Sequence, residues 1–221
     1  MTSFFRPILP VLLGVIAVEL ALGAMGPLIG VQLVQRGVAN ALIGAVTSAY
    51  FVGFLVGSLT CHLVIDRVGH IRAFCVFAVI ATNFSLFFVL VASPYAWIVL
   101  RAVIGYSLAG QFLVIESWLN DKASPETRGR VFATYLVLSW GFSGVGPLLL
   151  NVADPGGSTL FVVIAMGFAD HGPGGHDAAD VQIVIVHTID SWLGRAVGRG
   201  WCGDGRHRIR AIVTGRAAEP A

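Results

Sequence analysis

The stretch GSLTCHLVIDRVGHIRAF, Gly57 to Phe74, places Asp66, Arg67 and Arg72 with two histidines between two long apolar runs. An ionised side chain at the centre of a bilayer costs roughly 2.5–3.5 kcal/mol on insertion scales. If the flanking runs cross a membrane, this charged stretch therefore has to be a turn outside it. The composition says that they do cross. Hydrophobic residues make up 56% of the 221 and charged residues 12%, against about 25% charged in a soluble globular domain, and the mean hydropathy is +0.82.

Five runs are long enough to span about 30 Å of hydrocarbon: Ile8 to Val31, Ala41 to Ile65, Ala73 to Ala92, Ala96 to Leu119 and Val131 to Leu150. A sixth, Leu160 to Ala169, has about half the needed length. The expected fold is all-α and polytopic, with five full transmembrane helices and a truncated sixth, followed by an irregular tail. The first run is too long for a signal-peptide core and carries Glu19, so it reads as a retained helix. Lysine and arginine resist translocation, and an inside N-terminus puts Arg6, Arg67, Arg72, Lys122, Arg128 and Arg130 on the cytoplasmic side against Arg36 outside. The quoted stretch then becomes a cytoplasmic turn between spans two and three.

Other classes find little support. A net charge of +2 without a basic run before the last residues gives no nucleic-acid footprint. Cys61, Cys75 and Cys202 are scattered, without metal or redox spacing. No nucleophile and base, phosphate-cradling loop or metal cluster marks an enzyme or a cofactor site, so neither cofactor nor metal is expected.

The spacing Gly57-x8-Asp66-Arg67-x-Gly69-x-x-Arg72 resembles the signature loop between the second and third spans of the major facilitator superfamily, with His70 where that family more often has a basic residue. In span four, Arg101, Gly105 and Ala109 resemble the family's arginine-glycine motif. The run ESWLNDKASPETRGRVFATY, residues 116–135, looks like the four-to-five connection of poorly characterised bacterial permeases of that superfamily. Gly144, Gly146 and Pro147 partly match the glycine-proline motif of its antiporters, with Leu148 to Leu150 in place of the glycines expected next. The resemblance implies a secondary transporter of a small solute. Its two six-helix halves would rock about a central site, each half a pair of inverted three-helix repeats in which spans one and four correspond. Gly57, Asp66, Arg67, Gly69 and Arg72 would then gate, and Gly105, Gly146 and Pro147 would pack helices. Activity would need a second half beyond residues 1–169, in a bacterial inner membrane. A non-transporting module that pairs with or regulates a transporter is the alternative.

The intramembrane polar residues agree with that repeat. Glu19 lies about 16 Å into span one at the helical rise, near the midplane, and span four carries Arg101, Gln111 and Glu116. Arg101 is offset axially from Glu19 by about 8 Å, near the reach of its side chain. A Glu19 to Arg101 pair, or a protonated Glu19, is the expected state, with a proton as candidate coupling ion. The competing reading of Glu19 is a structural interhelical hydrogen bond, and that of the signature loop a solvated charged turn. Glu116 and Trp118 also fit a snorkelling acid and an interfacial anchor, Tyr95 and Trp97 fit an outer aromatic belt, and Trp140 fits packing better than substrate contact.

From Asp170 the composition changes. Twelve charged residues fall in the last 52 against 14 in the preceding 169, with four of the six histidines. Three accounts compete: a metal-binding tail, although its histidines lack paired spacing; an interfacial helix over Val181 to Val197; or a reading frame that slips near residue 169. The slip is the preferred one, because the Arg, Gly, Ala, Asp and His bias is what a shifted GC-rich gene yields. Domains of 1–169 in the membrane and 170–221 outside it follow.

Overall fold

The structure is a computed structural model that describes residues 9–169; the expectations for 170–221, with the rival accounts of that tail, lie outside the described residues. Those described form helices and no strand. Five helices have membrane-spanning length and hydropathy: α1 (Leu9–Gln35), α2 (Asn40–Val68), α3 (His70–Leu90), α4 (Pro94–Lys122) and α5 (Arg128–Val145), the last continued by a 3-10 segment, Gly146–Asn151. A shorter helix, α6 (Thr159–Ala169), follows. The 27 residues of α1 reach about 40 Å and the 11 of α6 about 16 Å.

The helix ends differ from the apolar runs. Helix α2 continues through Asp66 and Arg67 to Val68, and the turn expected over the charged stretch shrinks to one residue. Gly69, at φ 85°, ends α2 and starts α3, its N–H donating to Ile65 O at 2.8 Å. Only glycine adopts that backbone without a steric cost. Backbone hydrogen bonding continues past the point where hydropathy falls, because charged side chains at a helix end reach water without unwinding it. At the opposite end, Gly37 (φ 68°) closes α1: its N–H meets Val34 O at 2.9 Å and the Val38 N–H meets Leu33 O at 3.1 Å, the pattern of a Schellman cap.

Lipid offers helices no hydrophobic reason to associate, so packing depends on close backbone approach at small residues. Helices α2 and α4 meet through Gly53 against Ala102, Gly57 against Tyr106 and Ala109, and Gly105 against the Tyr50 carbonyl and Phe54 N. A Cβ on Gly57 would lie 2.8 Å from that of Ala109. Helix α1 crosses α5 where Gly23 abuts the Ser143 carbonyl and Gly146 abuts the α1 backbone at Leu20 and Ala24. Pro147 has no N–H to offer the carbonyl four residues back; the Ser143 oxygen thereby left without its helical donor is the one pressed against Gly23. Helix α6 packs on α1, Gly167 facing Ala17 and Ala21, and stacks Phe161 on Phe88 of α3 at 5.5 Å between centroids.

The buried side chains form two clusters. One, toward the Gly37 end, includes Leu28, Leu33, Phe88, Trp97 and Phe161. The other, toward the Gly69 end, includes Val15, Cys61, Phe74, Phe77 and Leu119. Trp97 is 0% exposed, its indole N–H donates to Val91 O at 2.8 Å, and it lies edge-on to Phe88 at 4.9 Å. It is a core residue rather than the belt residue expected, because the α3–α4 connection folds over it. Tyr95, 71% exposed, keeps the belt position.

Candidate functional site

Polar side chains inside the apolar spans gather where α1, α2, α4 and α5 approach one another. Arg101, 4% exposed, projects from α4 toward α1 and α2. Its Nη2 lies 3.6 Å from the place a Cβ on Gly26 would occupy, so the missing side chain of α1 makes room for the guanidinium. The guanidinium carbon sits over the Tyr50 ring of α2, 4.9 Å from the centroid, where the negative ring face favours a cation. Nε and Nη1 are buried without a hydrogen-bond partner.

Glu19, 7% exposed, turns instead toward the Ser139 and Ser143 hydroxyls of α5. The expected Glu19 to Arg101 pair is therefore not formed in this structure. The guanidinium lies over a ring face where a carboxylate was expected, and two of its nitrogens stay without a hydrogen-bond partner. Gly23 and Ser143 fix that outcome, since they bring α5 onto the Glu19 face of α1.

Toward the Gly69 end, Glu116 is exposed and accepts a hydrogen bond from Tyr135 of α5 at 3.3 Å. Gln111, fully buried on α4, has both amide atoms without a partner. Trp140 is 78% exposed on α5, so packing within the described residues, the role expected for it, is not found. In the signature loop, Asp66, Arg67 and Arg72 are exposed, Gly57 lies in the α2–α4 contact and Gly69 makes the turn. His70 Nε2 and Ser117 Oγ are 2.9 Å apart, which ties the turn to the end of α4. Gly105, Gly146 and Pro147 all stand at helix crossings or at the break that creates one. Among the described residues no group of three or more His, Cys, Asp or Glu is arranged to hold a metal.

Sequence reasoning brought Glu19, Arg101, Gln111 and Glu116 to this region and missed Tyr50, Tyr135, Ser139 and Ser143. Ser139 and Ser143 carried a signal, two hydroxyls four residues apart on one face of an apolar span. Tyr50 carried none, because a lone tyrosine in a span is equally at home in the core.

The family model of the Major Facilitator Superfamily matches residues 11–169. Among curated proteins, the chain is similar to the uncharacterized MFS-type transporter YcaD of Escherichia coli, in strains E24377A, SMS-3-5 and EC4115. Identity is 29% over 151 residues, covering 68% of this chain and 40% of each relative. The chain thus spans about two fifths of the length of these relatives. No solved structure matches it.

Proposed function

Because the chain belongs to the major facilitator superfamily, we propose that residues 1–169 act as one half of a secondary transporter that moves a small solute by alternating access across a bacterial inner membrane. The N-terminus is cytoplasmic, as the excess of arginine and lysine at the Gly69 end supports. A second half closes the cavity, and this half is inactive without it, since alternation needs two bodies that rock about a shared site. The chain has no enzymatic role.

The observation that carries this reading is the buried polar set itself. An arginine without a carboxylate partner, a glutamate facing two serines and a fully buried glutamine are costly in hydrocarbon, and such groups are retained where a solute or ion passes. Glu19, Arg101, Gln111 and Glu116 line or couple the path, with a proton as the coupling ion. Gly57, Asp66, Arg67, Gly69 and Arg72 gate its cytoplasmic end.

Proteoliposomes carrying residues 1–169 joined to the second half that completes the transporter, screened with labelled small solutes under an inward proton gradient, test this; residues 1–169 alone should take up none. We expect one solute to accumulate, a protonophore to abolish its uptake, and Glu19→Gln to do the same. Uptake indifferent to both removes the coupling role. The exposed apolar residues of α2 and α5, among them Phe51, Leu55, Leu59, Val137 and Trp140, also suit a non-transporting module that pairs with another membrane protein. Capture of a membrane partner whose addition to the proteoliposomes restores no uptake favours that second reading.

A further inference from the structure

A cleft of about 460 Å³ opens between the Gly69 turn and the last turn of α4, within the roughly 300–1,000 Å³ of ordinary small-ligand sites. Two kinds of side chain line it. Val68, Ile71 and Trp118 give an apolar flank, and Arg72, Lys122 and Asp121 give a charged one, with His70 between the two helices. Lys122 Nζ stands 6.0 Å from the centroid of the Trp118 ring. The hydrogen bond between His70 Nε2 and Ser117 Oγ, 2.9 Å apart, ties the turn to α4 beside the cleft.

The cleft lies where two helices of membrane-spanning length end, the level at which the hydrocarbon of a bilayer gives way to headgroups. Tryptophan prefers that boundary, and lysine and arginine placed beside it attract acidic lipids. Arg72 and Lys122 outnumber the one carboxylate, Asp121, so the lining favours an anion. The guanidinium adds a planar fork that matches phosphate oxygens.

We propose that this cleft binds the phosphate of an anionic phospholipid headgroup from the adjoining leaflet, with Arg72 and Lys122 on the phosphate and Trp118 and Ile71 against the glycerol and upper acyl chain. The bound lipid bridges the α2–α3 turn and the end of α4, and so ties the signature loop to the composition of the membrane. The proposal does not depend on transport: lipid binding is read on the protein by itself.

Native mass spectrometry of the purified chain, released from bicelles holding equal amounts of phosphatidylglycerol and phosphatidylcholine, provides the test. The unmodified protein should retain phosphatidylglycerol in preference to phosphatidylcholine. Each cation removed should weaken that retention about fivefold, the effect of one basic residue near an acidic surface. R72Q/K122Q should thus lose most of the preference, whereas R128Q/R130Q, which removes the same charge outside the cleft, should keep it. D121N should retain the lipid at least as well as the unmodified protein. Equal retention of both lipids by the unmodified protein, or equal loss in the two double variants, overturns the proposal. If R72Q/K122Q fails to fold, titration of the unmodified protein with short-chain phosphatidylglycerol, read by tryptophan fluorescence in W140F, decides instead. A saturable change absent with short-chain phosphatidylcholine supports the site, and a change shared by both lipids overturns it.

Discussion

The guanidinium of Arg101 lies over the ring of Tyr50, 4.9 Å from its centroid, with two of its nitrogens buried and unpartnered. The ring is the arginine's main compensation for leaving water, and a desolvated cation–π contact contributes about 2 kcal/mol.

Tyr50→Leu should therefore lower the unfolding free energy in detergent by about 2 kcal/mol, while Tyr50→Phe, which keeps the ring, should cost less than about 1 kcal/mol. Thermal or denaturant unfolding of the purified variants measures both. Equal stability of the two variants would show that the ring does not hold the arginine.

Gly105 faces the Tyr50 carbonyl and Phe54 N, and an added side chain has nowhere to go without parting α2 from α4. Gly105→Val should destabilise by about 1–3 kcal/mol or more, the usual cost of overpacking. Gly44→Val, where a Cβ meets nothing within 4 Å, is the control on the same bundle. If both lose equal stability, helix propensity rather than crowding is responsible.

Gln32, buried at the Gly37 end, donates to Pro155 O at 2.9 Å and Gly157 O at 3.2 Å, and accepts from Arg36 Nη2 at 3.2 Å. Arg36 in turn lies over the Trp97 ring at 4.6 Å. Gln32→Leu strips this clasp of its central group and should cost about 0.5–1.5 kcal/mol, the net worth of an ordinary hydrogen bond, since water can reach the half-buried Pro155 and the exposed Arg36 left behind. Proteolysis in the connection between Asn151 and Thr159 should quicken as it loosens. An unchanged cleavage rate would mean that this connection is held by other contacts.

Cysteine placed at position 70 in a cysteine-free background should react with a membrane-impermeant maleimide only after cells are opened. Cysteine at position 95 should react in intact cells. Labelling of position 70 from outside would invert the topology proposed here.

The sequence by itself determined that this chain belongs in a membrane and that five segments of the described residues are long and apolar enough to cross it. Those are averages over whole segments: twenty apolar residues suffice for a span whichever way each side chain points, whereas the contraction of the charged turn to Gly69 alone was seen only in the structure. Family membership was legible on the same footing, through the spacing of Gly57, Asp66, Arg67, Gly69 and Arg72. Only the tertiary structure decided which polar residues meet. Axial distance along two spans brought Glu19 and Arg101 within reach, but hydropathy carries no azimuth. The approach of α5 to α1 at Gly23 and Ser143 turned Glu19 toward two serines, and the approach of α2 to α4 at Gly105 set Tyr50 beneath the arginine. Trp97 left the expected belt for the core because the α3–α4 connection, through Val91, folds over it. Which face of a helix is buried depends on where neighbouring backbones touch, and small residues distant in the chain jointly set those points of contact.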